Sequence, residues 1–274
     1  MSSFPDPLQI VESTGLPESS HLQRVLRSER ERLLHWVPPV VEPPPPPAPG
    51  FEEALRREAS LGGAVIAEFK QGSPSLGPFA QGTPLLRQLE HYRQGGASAF
   101  SILVEPSFFL GSTADLRAAA SLGIPCLYKG FVISEAQLLE AKACGASAVL
   151  LIARVLREHT APFAREAAAL GLEALVELHD LTELPLAQAA GARLVGINAR
   201  DLATFTLGSP GAEALREAFP EAVLIRESGL ATPEDALASF EAGFDAVLIG
   251  EALMRSADPA GFLGRIRAGR PVRT

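Results

Sequence analysis

The feature that most constrains this chain is a series of eight short apolar runs, each followed by a longer stretch of helical periodicity. The runs are AVIAEF (64–69), AFSILV (99–104), PCLYKG (125–130), AVLLIA (148–153), ALVEL (174–178), LVGIN (194–198), AVLIRE (222–227) and DAVLIG (245–250). Between them lie stretches such as Thr83–Gln94, Ser134–Ala143, Pro162–Leu170, Leu181–Ala190 and Pro233–Glu241. Strand-type runs alternating with helices build parallel βαβ units. The runs are apolar almost throughout, as strands covered on both faces are. Several helical stretches end in GGAS (95–98), CGAS (144–147), AGAR (190–193) and AGFD (242–245), where a glycine can take the left-handed cap that stops a helix. Eight such units close into a (β/α)8 barrel, and 274 residues suit one barrel. The alternative, an open doubly wound sheet, lacks a GxGxxG turn after its first strand.

Residues 1–50 read differently. Ser19 and Ser20 can cap a helix from His21 to Trp36, with Leu22, Val25, Leu26, Leu33 and Trp36 at helical spacing. The segment PPVVEPPPPPAPG (38–50) follows. Five consecutive prolines join neither a helix nor a central strand, so the segment is a stiff polyproline spacer, with a PxxP peptide ligand as the alternative. The expected organisation is an N-terminal helical extension with its spacer over 1–50 and a barrel over 51–274.

The composition, 47% apolar and 20% charged, is globular. Acidic residues number 32 against 24 basic ones, and a net charge of −8 does not favour nucleic acid or anionic lipid. No apolar run approaches the ~18 residues of a membrane helix, and MSSFPDPLQIV does not read as a signal peptide. Cys126 and Cys144 come with no CxxC and no histidine cluster, so the expectation is two reduced, buried thiols in a cytoplasmic protein, with no metal and no cofactor.

Two rarities point to a site. The chain has three lysines, Lys70, Lys129 and Lys142, among 24 basic residues, and one asparagine, Asn198. Where arginine serves as the general cation, a surviving lysine is kept for its titratable amine. In a barrel the active site lies at the C-terminal ends of the strands. There the sequence places Glu68, Lys70 and Ser73 after the first strand, Lys129 at the third and Glu177 at the fifth. Asn198 and Arg200 follow the sixth strand, Glu227, Ser228 and Gly229 the seventh, and Gly250 and Glu251 the eighth. Lys129 closes an apolar strand, where desolvation lowers an amine's pKa. Glycines after the last two strands, with the Ser228 hydroxyl, suit backbone N–H groups that hold a phosphate. Two glutamates and two lysines facing one cavity suit general acid–base chemistry on a phosphorylated small molecule.

The same residues carry a family resemblance. AVIAEFKQGSPSLGPF resembles the EhKxxSPSxG motif (h, apolar) of indole-3-glycerol phosphate synthases. PCLYKGFVISEAQLLEAKACGASAVLLIA resembles their LRKDFhhdxxQhxEAxxxGADAhLLI, and LGLEALVELHD, LVGINARDLATF, IRESGLATPED and VLIGEALMRSADP follow in the family's order. The resemblance covers about residues 51–268, and the N-terminal helix is similar to the family's extension.

It implies conversion of 1-(2-carboxyphenylamino)-1-deoxyribulose 5-phosphate to indole-3-glycerol phosphate, carbon dioxide and water in tryptophan biosynthesis. It implies Lys129 as the general acid, Glu68, Glu177 and Lys70 as the groups for dehydration, Asn198 as a partner of the reacting hydroxyl and Glu227 as a supporting carboxylate. Lys70, Ser228, Gly229, Gly250 and Glu251 would hold the phosphate, with Ser73 and Arg200 at the anthranilate side and the rim. The expected assembly is a monomer, or at most a weak homodimer.

One departure stands out. The family's KDF is Lys129-Gly130-Phe131 here, so an aspartate beside the general acid is missing, and a lysine without a nearby anion has a lower pKa. The second strand also ends Val104-Glu105 where the family usually has Thr-Glu. The alternatives are a non-catalytic phosphometabolite-binding paralogue and another phosphate-binding barrel enzyme, such as a phosphoribosylanthranilate isomerase-like one.

Overall fold

A computed structural model describes residues 4–37, 50–74, 76–198 and 210–271. The eight expected strands form as β1 (Ala64–Phe69), β2 (Ala99–Leu103), β3 (Cys126–Lys129), β4 (Ala148–Ile152), β5 (Glu173–Leu178), β6 (Leu194–Ile197), β7 (Val223–Arg226) and β8 (Ala246–Ile249). Each pairs in parallel with its sequence neighbours, and β1 pairs with β8 to close the barrel. Ala67 of β1 lies beside Phe100 of β2 on one side and Ile249 of β8 on the other. The strands are buried along most of their length, which is why they read as apolar runs.

Helices α1 (Pro7–Ser13), α2 (His21–Leu34) and α3 (Phe51–Ser60) precede β1. Around the barrel run α4 (Leu85–Gly95), α5 (Thr113–Ala120), α6 (Glu135–Ala143), α7 (Ala153–Leu156), α8 (Thr160–Ala169), α9 (Leu184–Ala189) and α10 (Pro210–Ala218). After β7 come α11 (Pro233–Glu241), then α12 (Glu251–Arg255) and α13 (Pro259–Gly269). Gly96, Gly145, Gly191 and Gly243, the glycines expected to stop helices, all have positive φ. A two-stranded ribbon, Gly72–Ser73 against Gly77–Pro78, was not foreseen in the sequence.

The helix expected from His21 is present and ends at Leu34, two residues short of Trp36. The Ser20 hydroxyl accepts the Gln23 N–H at 3.1 Å, as an N-cap should. Helix α1, capped by Asp6, was not expected, because its apolar pattern is too short to show a period. Ile10 and Val11 of α1 and Leu26 of α2 join the same apolar cluster as the barrel strands. His21, Leu22 and Val25 line the cavity at the barrel mouth, so α2 covers that end. The proline segment 38–49 lies outside the described residues. Helix α3 begins at the opposite face, where Glu173 at the start of β5 accepts the N–H groups of Phe51 and Glu52 at 2.8 and 2.6 Å. Cys126 and Cys144 are buried free thiols. Among the described residues no helix is long and apolar enough to cross a membrane.

Candidate active site

Side chains alternate along a strand, so the residue that ends each strand facing inward is delivered to the barrel mouth. The result is one cavity of about 950 Å³. Glu68, Lys70, Ser73, Lys129, Glu177, Asn198, Glu227, Ser228, Gly229, Gly250 and Glu251 all line it. Arg200, the remaining expected residue, lies outside the described residues.

Two charged clusters form the floor. At the end of β1, Glu68 pairs with Lys70 at 2.8 Å and accepts the Ser101 hydroxyl from β2 at 3.2 Å. At the end of β3, the Lys129 ammonium donates to Glu177 Oε2 of β5 at 3.2 Å and to Glu227 Oε2, which follows β7. Asn198 Nδ2 donates to Glu177 Oε1 at 3.4 Å, and His179 Nε2 lies 3.4 Å from the same oxygen.

This arrangement corrects one sequence expectation. Burial alone would lower the Lys129 pKa, but Glu227, Glu177 and Glu68 together raise it above the ordinary lysine value. The aspartate lost at Gly130 does not leave the amine without an anion, because two carboxylates reach it from other strands. The carboxyls differ among themselves. For Glu177, burial is outweighed by the Lys129 ammonium and by His179, and its pKa falls well below the usual range. Glu68 is likewise lowered, by Lys70 and then Lys129, against the effect of burial. Glu227 goes the other way: burial, with the neighbouring Glu177 charge, outweighs Lys129 and raises it. The Lys129 cluster thus holds an ammonium, an ionised carboxylate and a carboxyl that keeps its proton further into the neutral range. That set can donate and accept protons at one place.

The rim is different in kind. Gly229 takes a left-handed turn at φ +73°, and Gly250 caps α12 ahead of Glu251. A Cβ on Gly250 would lie 3.0 Å from Lys70 Nζ and would also meet Glu68 Oε1, so this glycine leaves room for the β1 pair. Ser228 Oγ is buried and has no hydrogen-bond partner among the described residues. Glu251 pairs with Arg255 at 3.0 Å, and the Arg255 guanidinium lies 5.1 Å from the Phe79 ring centre. Ser73 sits buried in the ribbon, where its hydroxyl accepts the Leu76 N–H at 3.3 Å.

Sequence reasoning passed over three contributors. His179 stands two residues after Glu177, the spacing that returns a strand to the same face. Gly196 stands two before Asn198, and a side chain there would collide with the Glu227 carboxyl. Both were findable from the period of two. The α2 residues at the mouth were not, since only tertiary packing puts them there.

The indole-3-glycerol phosphate synthase family profile matches residues 30–266. The indole-3-glycerol phosphate synthase of Listeria monocytogenes strain EGD-e is 46% identical over 198 residues, covering 71% of this chain and 78% of that one. The protein of the same name from Opitutus terrae is 41% identical over 229 residues, covering 80% and 85%. The fold is also similar to a thiamine phosphate pyrophosphorylase from Pyrococcus furiosus, with a TM-score of 0.54 at 15% identity, covering 77% of this chain and 96% of that one. Sequence, barrel and relatives agree that this chain belongs to the indole-3-glycerol phosphate synthase family.

Proposed function

We propose that this chain closes the indole ring: it converts 1-(2-carboxyphenylamino)-1-deoxyribulose 5-phosphate to indole-3-glycerol phosphate with loss of carbon dioxide and water. The observation that carries the reading is the Lys129 ammonium held between Glu177 and Glu227 at the floor of a closed barrel. The ring carbon bearing the carboxylate attacks the ketone carbon, and the carbonyl electron pair moves to oxygen, which takes a proton from Lys129. The alkoxide that forms is a stronger base than any amine, so a raised lysine pKa keeps the acid loaded without blocking the transfer. The carbon–carboxylate bond then breaks, carbon dioxide leaves, and its electron pair restores the aromatic ring. Dehydration needs a proton on the departing hydroxyl and a base for the neighbouring carbon's proton. Glu177, Glu68 and Lys70 supply those groups, Asn198 orients the hydroxyl, and Glu227 holds Lys129 in place.

The phosphate lies against Lys70, the Ser228 hydroxyl and the N–H groups around Gly229, Gly250 and Glu251. The Ser228 hydroxyl, which has no partner among the described residues, supports that assignment. Ser73 and Arg200 belong to the anthranilate side and the rim. We take residues 51–274 as the catalytic barrel and 1–50 as its extension, and the protein as a cytoplasmic monomer or weak homodimer. The loss of the family's aspartate at Gly130 does not favour a binding-only paralogue, because the anions around Lys129 come from elsewhere.

The test is turnover of the carboxyphenylamino-deoxyribulose phosphate, followed by indole fluorescence, beside Lys129→Ala. Turnover that disappears in the variant supports the reaction and the acid together. A folded parent that binds the substrate without converting it overturns the reading.

A further inference from the structure

The backbone on both sides of Lys129 is tied to α2. Tyr128 points away from the cavity, and its hydroxyl donates to Glu140 Oε2 of α6 at 2.7 Å. Glu140 in turn accepts two bonds from Arg32 of α2, at 2.9 and 3.1 Å. On the other side of Lys129, Gln137 accepts the Ile133 N–H at 2.8 Å and donates to the Phe131 carbonyl at 2.9 Å. Its amide also donates to Glu29 of α2 at 3.0 Å, and Glu29 accepts from Arg32 at 3.1 Å. Glu29, Gln137, Glu140 and Tyr128 are all buried, so each bond lies where an unmet polar group is costly. Outside this network, α2 also meets the loop after β2, with Ser28 Oγ 2.9 Å from Ser107 Oγ.

The same network accounts for Gly130. A Cβ there would lie 2.6 Å from Tyr128 Cε1 and 2.9 Å from Val104 Cγ2. The LRKDF-type motif has arginine and aspartate where this chain has Tyr128 and Gly130, so both of its charges are absent here. The tyrosine ring fills the space beside Gly130 and reaches outward to a cation on α2.

We propose that α2 is a positioning element for the reaction: through Arg32–Glu140–Tyr128 and Glu29–Gln137 it fixes the strand end that presents the Lys129 ammonium. Arg32 and Glu29 are positioning residues, far from the reacting atoms. The inference rests on the reading of Lys129 as the general acid.

Steady-state kinetics of the full chain test it. Tyr128→Phe removes one hydroxyl and keeps the ring packed; Arg32→Met breaks the tie to α2. Both lower kcat by about 10- to 100-fold, the cost of a small misplacement of a reacting group, with KM changed by less than about threefold. Glu140→Gln keeps an acceptor for Tyr128 and retains more kcat than Glu140→Ala. Glu173→Ala, which loosens α3 at the opposite end of the barrel, lowers thermal stability and leaves kcat alone. If Arg32→Met fails to fold, Tyr128→Phe and the Glu140 pair decide. Variants that lose stability but keep kcat within about twofold of the parent overturn the proposal and leave α2 a structural cover. Lys129→Met separates the two layers. If it still turns substrate over, the reading of Lys129 has failed; if it is inactive while Tyr128→Phe is fully active, only the positioning role has failed.

Discussion

The carboxyl of Glu227 occupies the space that a side chain on Gly196 would fill. Gly196 lies directly beside Glu177 in the pairing of β5 with β6. A missing Cβ on one strand therefore lets a carboxyl from the next reach Lys129. Gly196→Ala should displace Glu227 and drop kcat by about 100-fold, as a displacement near 1 Å does. Stability should fall too, because Gly196 is buried within β6. Kinetics alongside a thermal melt check this; an alanine variant with parental kcat would show that Glu227 does not need its observed place.

Glu227 also makes a pH prediction. Its pKa rises from an ordinary 4.5 to about 8, chiefly through burial. A carboxyl raised in the folded state gives stability that is complete below its unfolded pKa and is lost as pH rises through the folded one. Folding thus takes up a proton at Glu227 between about pH 4.5 and 8, and a glutamine has no proton to take up. The stability of Glu227→Gln relative to the parent should climb with pH across that window. Melting temperatures of both proteins through it give the difference directly, and a flat difference contradicts the raised pKa.

The start of α3 depends on a carboxylate from the far end of β5. Glu173 accepts the N–H groups of Phe51 and Glu52, which the helix itself leaves unmet. Glu173→Ala should cost about 1–2 kcal/mol, the usual loss for a helix cap. Urea unfolding measures it, with kcat as the control. A loss below the error of that measurement would mean water satisfies those donors equally well.

Much of this was legible in the chain because buried parallel strands advertise themselves. Each is an apolar run, and each active-site residue is the polar one that ends it. The scarcity of lysine marked Lys70 and Lys129, and Lys142 does lie exposed on α6. What failed to show was everything that depends on distance in sequence. The anions that set the Lys129 pKa stand 48 and 98 residues away, so reading its neighbours alone reversed the sign of the shift. Gly130 looked like a loss for the same reason. Its cause is the Tyr128 ring, whose own partner is held by a residue nearly a hundred positions earlier. The seating of α2 over the mouth was equally hidden, since an apolar stripe says that a helix packs but not on what.

Lys129 stays protonated because Glu227 and Glu177 enclose it. Only three lysines are present, so a spectrum of protein labelled with 15N at lysine Nζ carries three signals, and Lys129→Met assigns one. Titrated upward in pH, the Lys129 signal should keep its ammonium shift beyond the ordinary lysine value of 10.5. A Lys129 signal that moves to its neutral shift below 10.5 would mean that burial had won over the two carboxylates.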